Sequence, residues 1–253
     1  MRHLNWWRYL LCGVIMSYIS TFTGKHFNFI NISADDVDIN DIAQGLSNEC
    51  RFAGQISQFY SVAQHSVYVS QIVPPEYALE ALLHDASEAY CKDLPSPLKA
   101  LLPEYKTIER RVQQTITDKW NLPTNLSDVV HYADLTMLAT ERRDLEVDGN
   151  NYWPILDGIP ATDLITVSPL SPIQARAMFI YRYNQITGTI PKFDADIRLS
   201  TIRGECAWGD IYSDKKKRFQ DGDPIQTSRV INIDTYLTDG YIQTVNSVYR
   251  IIL

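Results

Sequence analysis

The sequence predicts a mainly α-helical domain of about six helices followed by a small C-terminal β-module. Three observations predict it. Apolar residues recur at helical intervals in six stretches between Ser33 and Ile186. Prolines and capping residues fall between those stretches. After Pro191 the pattern changes to short β-branched runs opened by turns at Asp221-Gly222 and Asp239-Gly240.

The first helix begins after Ser33. Asp35 and Asp36 form an acidic first turn, and Val37, Ile39, Ile42, Ala43 and Leu46 supply the apolar stripe. A second helix runs over about 59–73 and stops at Pro74-Pro75. A third starts at that proline pair, a residue type suited to a first turn. It carries Tyr77, Leu79, Leu82, Leu83, Ala86 and Ala89 up to the break at Leu94-Pro95-Ser96-Pro97. A fourth covers about 97–120, with Lys106, Glu109, Arg110 and Arg111 on an exposed face. The fifth follows Asn121-Leu122-Pro123 over about 126–145, and the sixth spans about 172–186. With no strand pattern between them, the six form one domain over residues 16–190. Residues 191–201 are expected as a linker, and residues 202–253 as a β-rich module with two or three turn-started strands.

Composition suits this organisation and narrows the function. The chain has 253 residues, 45% hydrophobic and 21% charged. A globular chain of that length buries about 70–75% of its unfolded surface and needs no disulfide or structural metal to fold. The net charge is −7, so a phosphate-binding nucleic-acid protein is disfavoured. Residues 202–253 carry no net charge, which leaves the acidity to the helical part. Lys215-Lys216-Lys217-Arg218 therefore reads as a solvated loop. Four cysteines lie far apart with no C-x-x-C pair, which suits a reducing cytoplasm.

Residues 1–15 read MRHLNWWRYLLCGVI. The apolar stretch is at the short limit for a signal peptide, lacks a following small-residue cleavage site, and is much too short to span a bilayer. The packed-domain pattern begins after Met16, so residues 1–15 are expected as an extension outside the fold, and no membrane partner is expected.

Polar residues that interrupt apolar helices mark the chemistry. His84-Asp85 lies within Ala81-Leu82-Leu83-His84-Asp85-Ala86. A charged carboxylate on such a helix is costly to bury without a partner. A divalent metal is one partner, and a hydrogen-bonded structural pair accounts for the dipeptide equally well. His65 and Asp134 interrupt two other apolar helical regions. Together the four offer two imidazoles and two carboxylates, a donor set that suits zinc, manganese, iron or cobalt better than calcium. Helices packed side by side can direct such groups at one centre, with positions left open for water and a phosphate oxygen. His26 and His131 are not expected as ligands, though His131 is close enough in sequence to Asp134 to support it. Glu88, three residues after Asp85 and four after His84, is placed for proton transfer beside the centre. Asp93 could share that work or hold a substrate sugar; a loop carboxylate explains it as well.

These residues resemble the HD-domain metal-dependent phosphohydrolases. The similarity is closest to the 5′-deoxynucleotidase-like branch of bacteria, phages and prophages. It is carried by Thr23-Gly24-Lys25-His26-Phe27, Cys50-Arg51-Phe52-Ala53-Gly54, Ala63-Gln64-His65-Ser66, His84-Asp85-Ala86-Ser87-Glu88, Asp93-Leu94-Pro95-Ser96-Pro97-Leu98-Lys99 and Tyr132-Ala133-Asp134. It extends from about residue 16 to residue 186. The resemblance implies an HD-domain helical bundle with one divalent transition metal, cobalt, manganese or similar, held by His65, His84, Asp85 and Asp134. It implies Glu88 as the acid–base residue, Asp93 as a second functional carboxylate, and Arg51, Phe52 and Lys99 against a nucleotide substrate. A guanidinium can pair with phosphate and an aromatic face can stack on a base. The implied reaction is hydrolysis of a deoxynucleoside 5′-monophosphate to deoxynucleoside and phosphate. A deoxynucleoside triphosphate triphosphohydrolase would use the same ligands, and an inactive nucleotide-binding or interaction module would keep the fold. A homo-oligomer remains open. The resemblance does not reach residues 202–253.

Overall fold

The structure, a computed structural model, describes residues 17–149, 151–189, 192–233 and 236–252. The extension expected over residues 1–15 lies outside the described residues. The described chain opens with a hairpin of β1 (Tyr18–Ser20) and β2 (His26–Asn28), too short to show in the sequence pattern. Its turn is fixed to the first helix by Asp41, whose carboxylate accepts from the Thr23 amide at 2.7 Å and the Thr23 hydroxyl at 2.8 Å.

Helix α1 (Ile39–Ser47) starts at Asp38, whose side chain accepts from the Asn40 amide. It buries Ile42, Ala43 and Leu46. Gly45 lets α1 approach its neighbour closely, since a Cβ there would come within 2.7 Å of Ala89. Helix α2 (Val62–Gln71) is capped by Ser61 and almost wholly buried. Its neighbours α3 (Ala78–Leu83) and α7 (Asp128–Asp144) supply the other walls of the centre described below. The Glu80 carboxylate of α3 accepts from the amide and hydroxyl of Ser127, the cap residue of α7, and so ties the two helices together. Helix α8 (Pro172–Thr187) opens with a Ser171–Gln174 capping box and ends on left-handed Gly188. It closes the core over α1 and α2 with Ala175, Phe179 and Ile180.

Two of the six expected helices are split. The third is broken between α3 and α4 (Glu88–Cys91), where residues 84–87 form turns. No Gly or Pro marks the break. Gln113 supports it by donating to the Leu83 carbonyl at 3.1 Å and accepting from the Ser87 amide at 3.1 Å. The fourth is split into α5 (Ser96–Lys99) and α6 (Pro103–Lys119), because Pro103 starts a new first turn.

The C-terminal module is a five-stranded sheet ordered β5-β4-β3-β7-β6, built from β3 (Ala195–Arg203), β4 (Cys206–Tyr212), β5 (Asp223–Arg229), β6 (Tyr241–Gln243) and β7 (Val248–Ile252). Among the described residues only β3 and β7 run parallel. Ile197, Ala207, Ile211 and Ile242 fill its own core. Residues 195–201, expected as linker, instead belong to β3. Pairing with β7 buries Ala195 and Ile197, and Arg250 grips Asp196 at 2.6 and 2.7 Å. A short helix, α9 (Tyr236–Asp239), packs on α8. Gly240 follows it at φ +72, and a Cβ there would lie 2.8 Å from the Tyr181 Cβ. The basic run is exposed, and two of its residues are paired, Lys216 with Asp194 and Arg218 with Asp214.

Candidate metal centre

His65 comes from the middle of α2, His84 and Asp85 from the break after α3, and Asp134 from the second turn of α7. The break turns His84 inward, and its Nδ1 meets the Ala81 carbonyl at 2.8 Å. That bond leaves Nε2 free to face the centre.

Ligand atoms of His65, His84 and Asp134 lie within 4.8 Å of one another. Asp134 Oδ1 is 3.1 Å from His65 Nε2 and 3.8 Å from His84 Nε2. Asp85 borders the group: its Oδ2 is 3.1 Å from His84 Nε2, 3.9 Å from His65 Nε2 and 4.0 Å from Arg51 Nη1. Both Nε2 atoms are buried and neither makes a well-directed hydrogen bond, despite the close carboxylates. Two such imidazoles aimed at one space beside carboxylates are costly unless something binds there. This is the donor set and burial that a divalent transition metal requires, so the residues fit such an ion.

Charge confirms how tightly the groups act on one another. Burial pulls the His84 imidazole down, but the Asp85 and Asp134 carboxylates outweigh it and push it up to about 9. Burial would raise Asp134; its contact with His65 and the positive charges around it hold it well below the carboxylate range instead.

Glu88, at the start of α4, is buried, and its Oε2 has no hydrogen-bond partner. Burial first, then the charges of Asp85 and Asp93, raise its carboxyl well above the usual range against Lys99 and Arg51. It lines a cleft of about 370 Å³ with His84, Asp85, Lys99, Lys106 and Arg110. Asp93 is half-buried, and burial also raises its carboxyl. It follows Lys92, a non-glycine residue at φ +77. Lys99 binds Glu109 at 2.7 Å and stands 3.9 Å from Glu88.

Arg51 and Phe52 sit on a turn in which Phe52 and Ala53 take left-handed φ of 54 and 51, a strained conformation for an aromatic residue. The Arg51 guanidinium lies 5.5 Å from the Phe52 ring centre. Phe52 is half-buried against the cluster that holds Tyr60, Val130 and Met137.

Glu141 belongs to this centre although no interrupted apolar run marks it in the sequence. This fully buried carboxylate accepts from His65 Nδ1 at 2.5 Å, Arg51 Nη2 at 2.9 Å and the Tyr60 hydroxyl at 2.8 Å. Its signal was the seven-residue spacing from Asp134, two turns along one helix face. His131, expected near Asp134, is exposed on the outer face of α7 instead. His26 stacks on Tyr18, outside the centre.

Comparison with known proteins adds the lineage. The family model described as "5'-deoxynucleotidase YfbR-like" matches residues 40–147, which contain every residue of this centre. An uncharacterized Escherichia coli K12 protein, YfdR, is 57% identical over 172 residues, covering 68% of this chain and 97% of that protein. An uncharacterized Rhodobacter capsulatus protein is 31% identical over 114 residues, covering 41% of this chain and 58% of that one.

Proposed function

The chain belongs to the YfbR-like family, and from that premise we propose that it hydrolyses deoxynucleoside 5′-monophosphates to deoxynucleoside and phosphate with a bound divalent metal. One observation carries the reading. Two buried imidazole nitrogens without hydrogen-bond partners converge with Asp134, and the partnerless Glu88 Oε2 lines the cleft that reaches His84 and Asp85. The assignment to a phage or prophage branch rests on motif resemblance alone. Among the described residues no helix is long and apolar enough to cross a membrane.

His65, His84 and Asp134 would hold the ion, with Asp85 completing the set from the rim. When bound, the ion supplies Lewis-acid polarisation of a phosphoryl oxygen and acidifies the attacking water. The protein's own groups do the rest. Glu88 handles the proton at Oε2, and its raised pKa makes it a stronger base than an ordinary carboxylate. Arg51 offsets negative charge on the phosphoryl group with Nη1, while Glu141 holds Nη2. Phe52 offers a ring to the base, and Asp93 hydrogen-bonds the sugar. Lys99, fixed by Glu109, keeps a positive charge beside Glu88.

A second reading, release of tripolyphosphate from a deoxynucleoside triphosphate, is favoured by one feature. Lys106 and Arg110, one turn apart on α6, line the same cleft and could receive further phosphates. A screen of deoxy- and ribonucleoside mono- and triphosphates, with added manganese or cobalt, decides between them. Orthophosphate from monophosphates supports the leading reading, tripolyphosphate supports the second, and no turnover of any nucleotide contradicts both.

A further inference from the structure

Glu141 stands in no contact with the cleft, yet both of its oxygens are spent on residues that line the centre. Oε1 accepts from His65 Nδ1 and from the Tyr60 hydroxyl; Oε2 accepts from Arg51 Nη2. The carboxylate is fully buried, as is the His65 ring, and the Arg51 side chain is only 14% exposed. A carboxylate can only accept, so the proton of His65 is fixed on Nδ1 and the lone pair on Nε2, which faces Asp134. The same carboxylate holds one edge of the Arg51 guanidinium and leaves Nη1 on the Asp85 side. Arg51 has five donors in a rigid plane, so holding Nη2 sets the direction of Nη1.

We infer that Glu141 is a positioning residue that couples the two halves of the site. It orients His65 for the cation and Arg51 for the phosphate, so that each half depends on the same buried side chain. The inference rests on the function proposed above and adds to it a residue that touches neither ion nor substrate. Loss of Glu141 therefore weakens metal binding and substrate binding together.

Glu141→Gln separates this from a structural role. The amide keeps the shape but has one accepting end and one donating end. Turned one way, its NH₂ faces Arg51; turned the other, it faces His65 Nδ1 and drives the ring proton onto Nε2. One arm is lost in either orientation. The experiment uses the full chain and titrates manganese by calorimetry. It also measures KM for a deoxynucleoside monophosphate at saturating metal, and Tm for every variant. Glu141→Ala is expected to weaken manganese binding by about 10–100-fold, the usual effect of removing such a partner, and to raise KM. Glu141→Gln is expected to show one of the two losses. Ile211→Ala, a cavity in the separate core of the C-terminal sheet, is expected to lower Tm and change neither. If both Glu141 variants bind manganese and substrate within threefold of wild type, the coupling is wrong. If Ile211→Ala reproduces their losses, the role is only structural and the inference is overturned as well. A wild-type protein that takes up no manganese overturns the inference together with the function it rests on. Wild-type binding and turnover with unchanged Glu141 variants overturns the inference alone.

Discussion

Asp134 and Glu141 lie seven residues apart on α7 and meet the same imidazole from opposite sides. Asp134 Oδ1 is 3.1 Å from His65 Nε2, and Glu141 Oε1 is 2.5 Å from His65 Nδ1. One helix thus supplies both a group for the centre and the group that orients its neighbour. The roles of individual residues differ enough to be separated by substitution.

His84→Ala and Glu88→Gln should behave differently. Removing His84 takes away a buried nitrogen aimed at the centre, so metal analysis of the purified variant should find less than a tenth of the wild-type content. Glu88→Gln should hold metal normally while kcat falls by roughly 10²–10⁴-fold, the range for a general acid–base residue. A Glu88→Gln enzyme with wild-type kcat would move the proton role to Asp93 or to solvent.

Arg51→Ala should cost both stability and binding. It leaves the buried Glu141 carboxylate without its cation, and breaking a buried pair costs about 3–5 kcal/mol. The His65 and Tyr60 contacts remain, which places the expectation near the lower end. Urea unfolding should show the loss, and KM should rise at least as much as kcat falls. Unchanged stability would mean that the Arg51–Glu141 pair contributes little.

Metal-free protein should lose stability in alkali. The folded His84 imidazole titrates at about 9, above its ordinary 6.5, because of Asp85 and Asp134. Protonated His84 therefore stabilises the fold fully below about pH 6.5, and that contribution is lost as the pH rises through about 9. An ion needs neutral imidazole, so metal affinity should rise over the same interval. Urea midpoints of chelated protein at pH 6 to 9.5 should fall, and a rise instead would contradict the shift.

Truncation should depend on where the chain is cut. Ending it at Thr189 removes the whole sheet, and the helical core should stay soluble and bind metal. Ending it at Thr201 leaves most of β3 without β4 and β7, exposing Ala195 and Ile197. That variant should aggregate on size-exclusion chromatography, and equal behaviour of the two would show that β3 does not depend on the sheet.

What the sequence reveals follows from where physical cost is visible. His84-Asp85 and Asp134 stand out because polar groups interrupt apolar helices, and the helices themselves are bounded by Ser61, Ser127, Ser171 and proline. The break at residues 84–87 is hidden because Gln113, distant in sequence, supplies its hydrogen bonds. Glu141 is hidden because Glu141-Arg142-Arg143 reads as an exposed helix end, whereas tertiary packing buries its first member completely. The start of β3 is hidden because Pro191 suggests a linker, and only pairing with a strand 54 residues later makes it sheet.

The most direct test of the account is orthophosphate release from deoxynucleoside 5′-monophosphates by the full chain, chelated and then resupplied with manganese or cobalt. The account predicts release that chelation abolishes and the metal restores. Release that survives complete chelation, or none from any monophosphate after metal is restored, would contradict it.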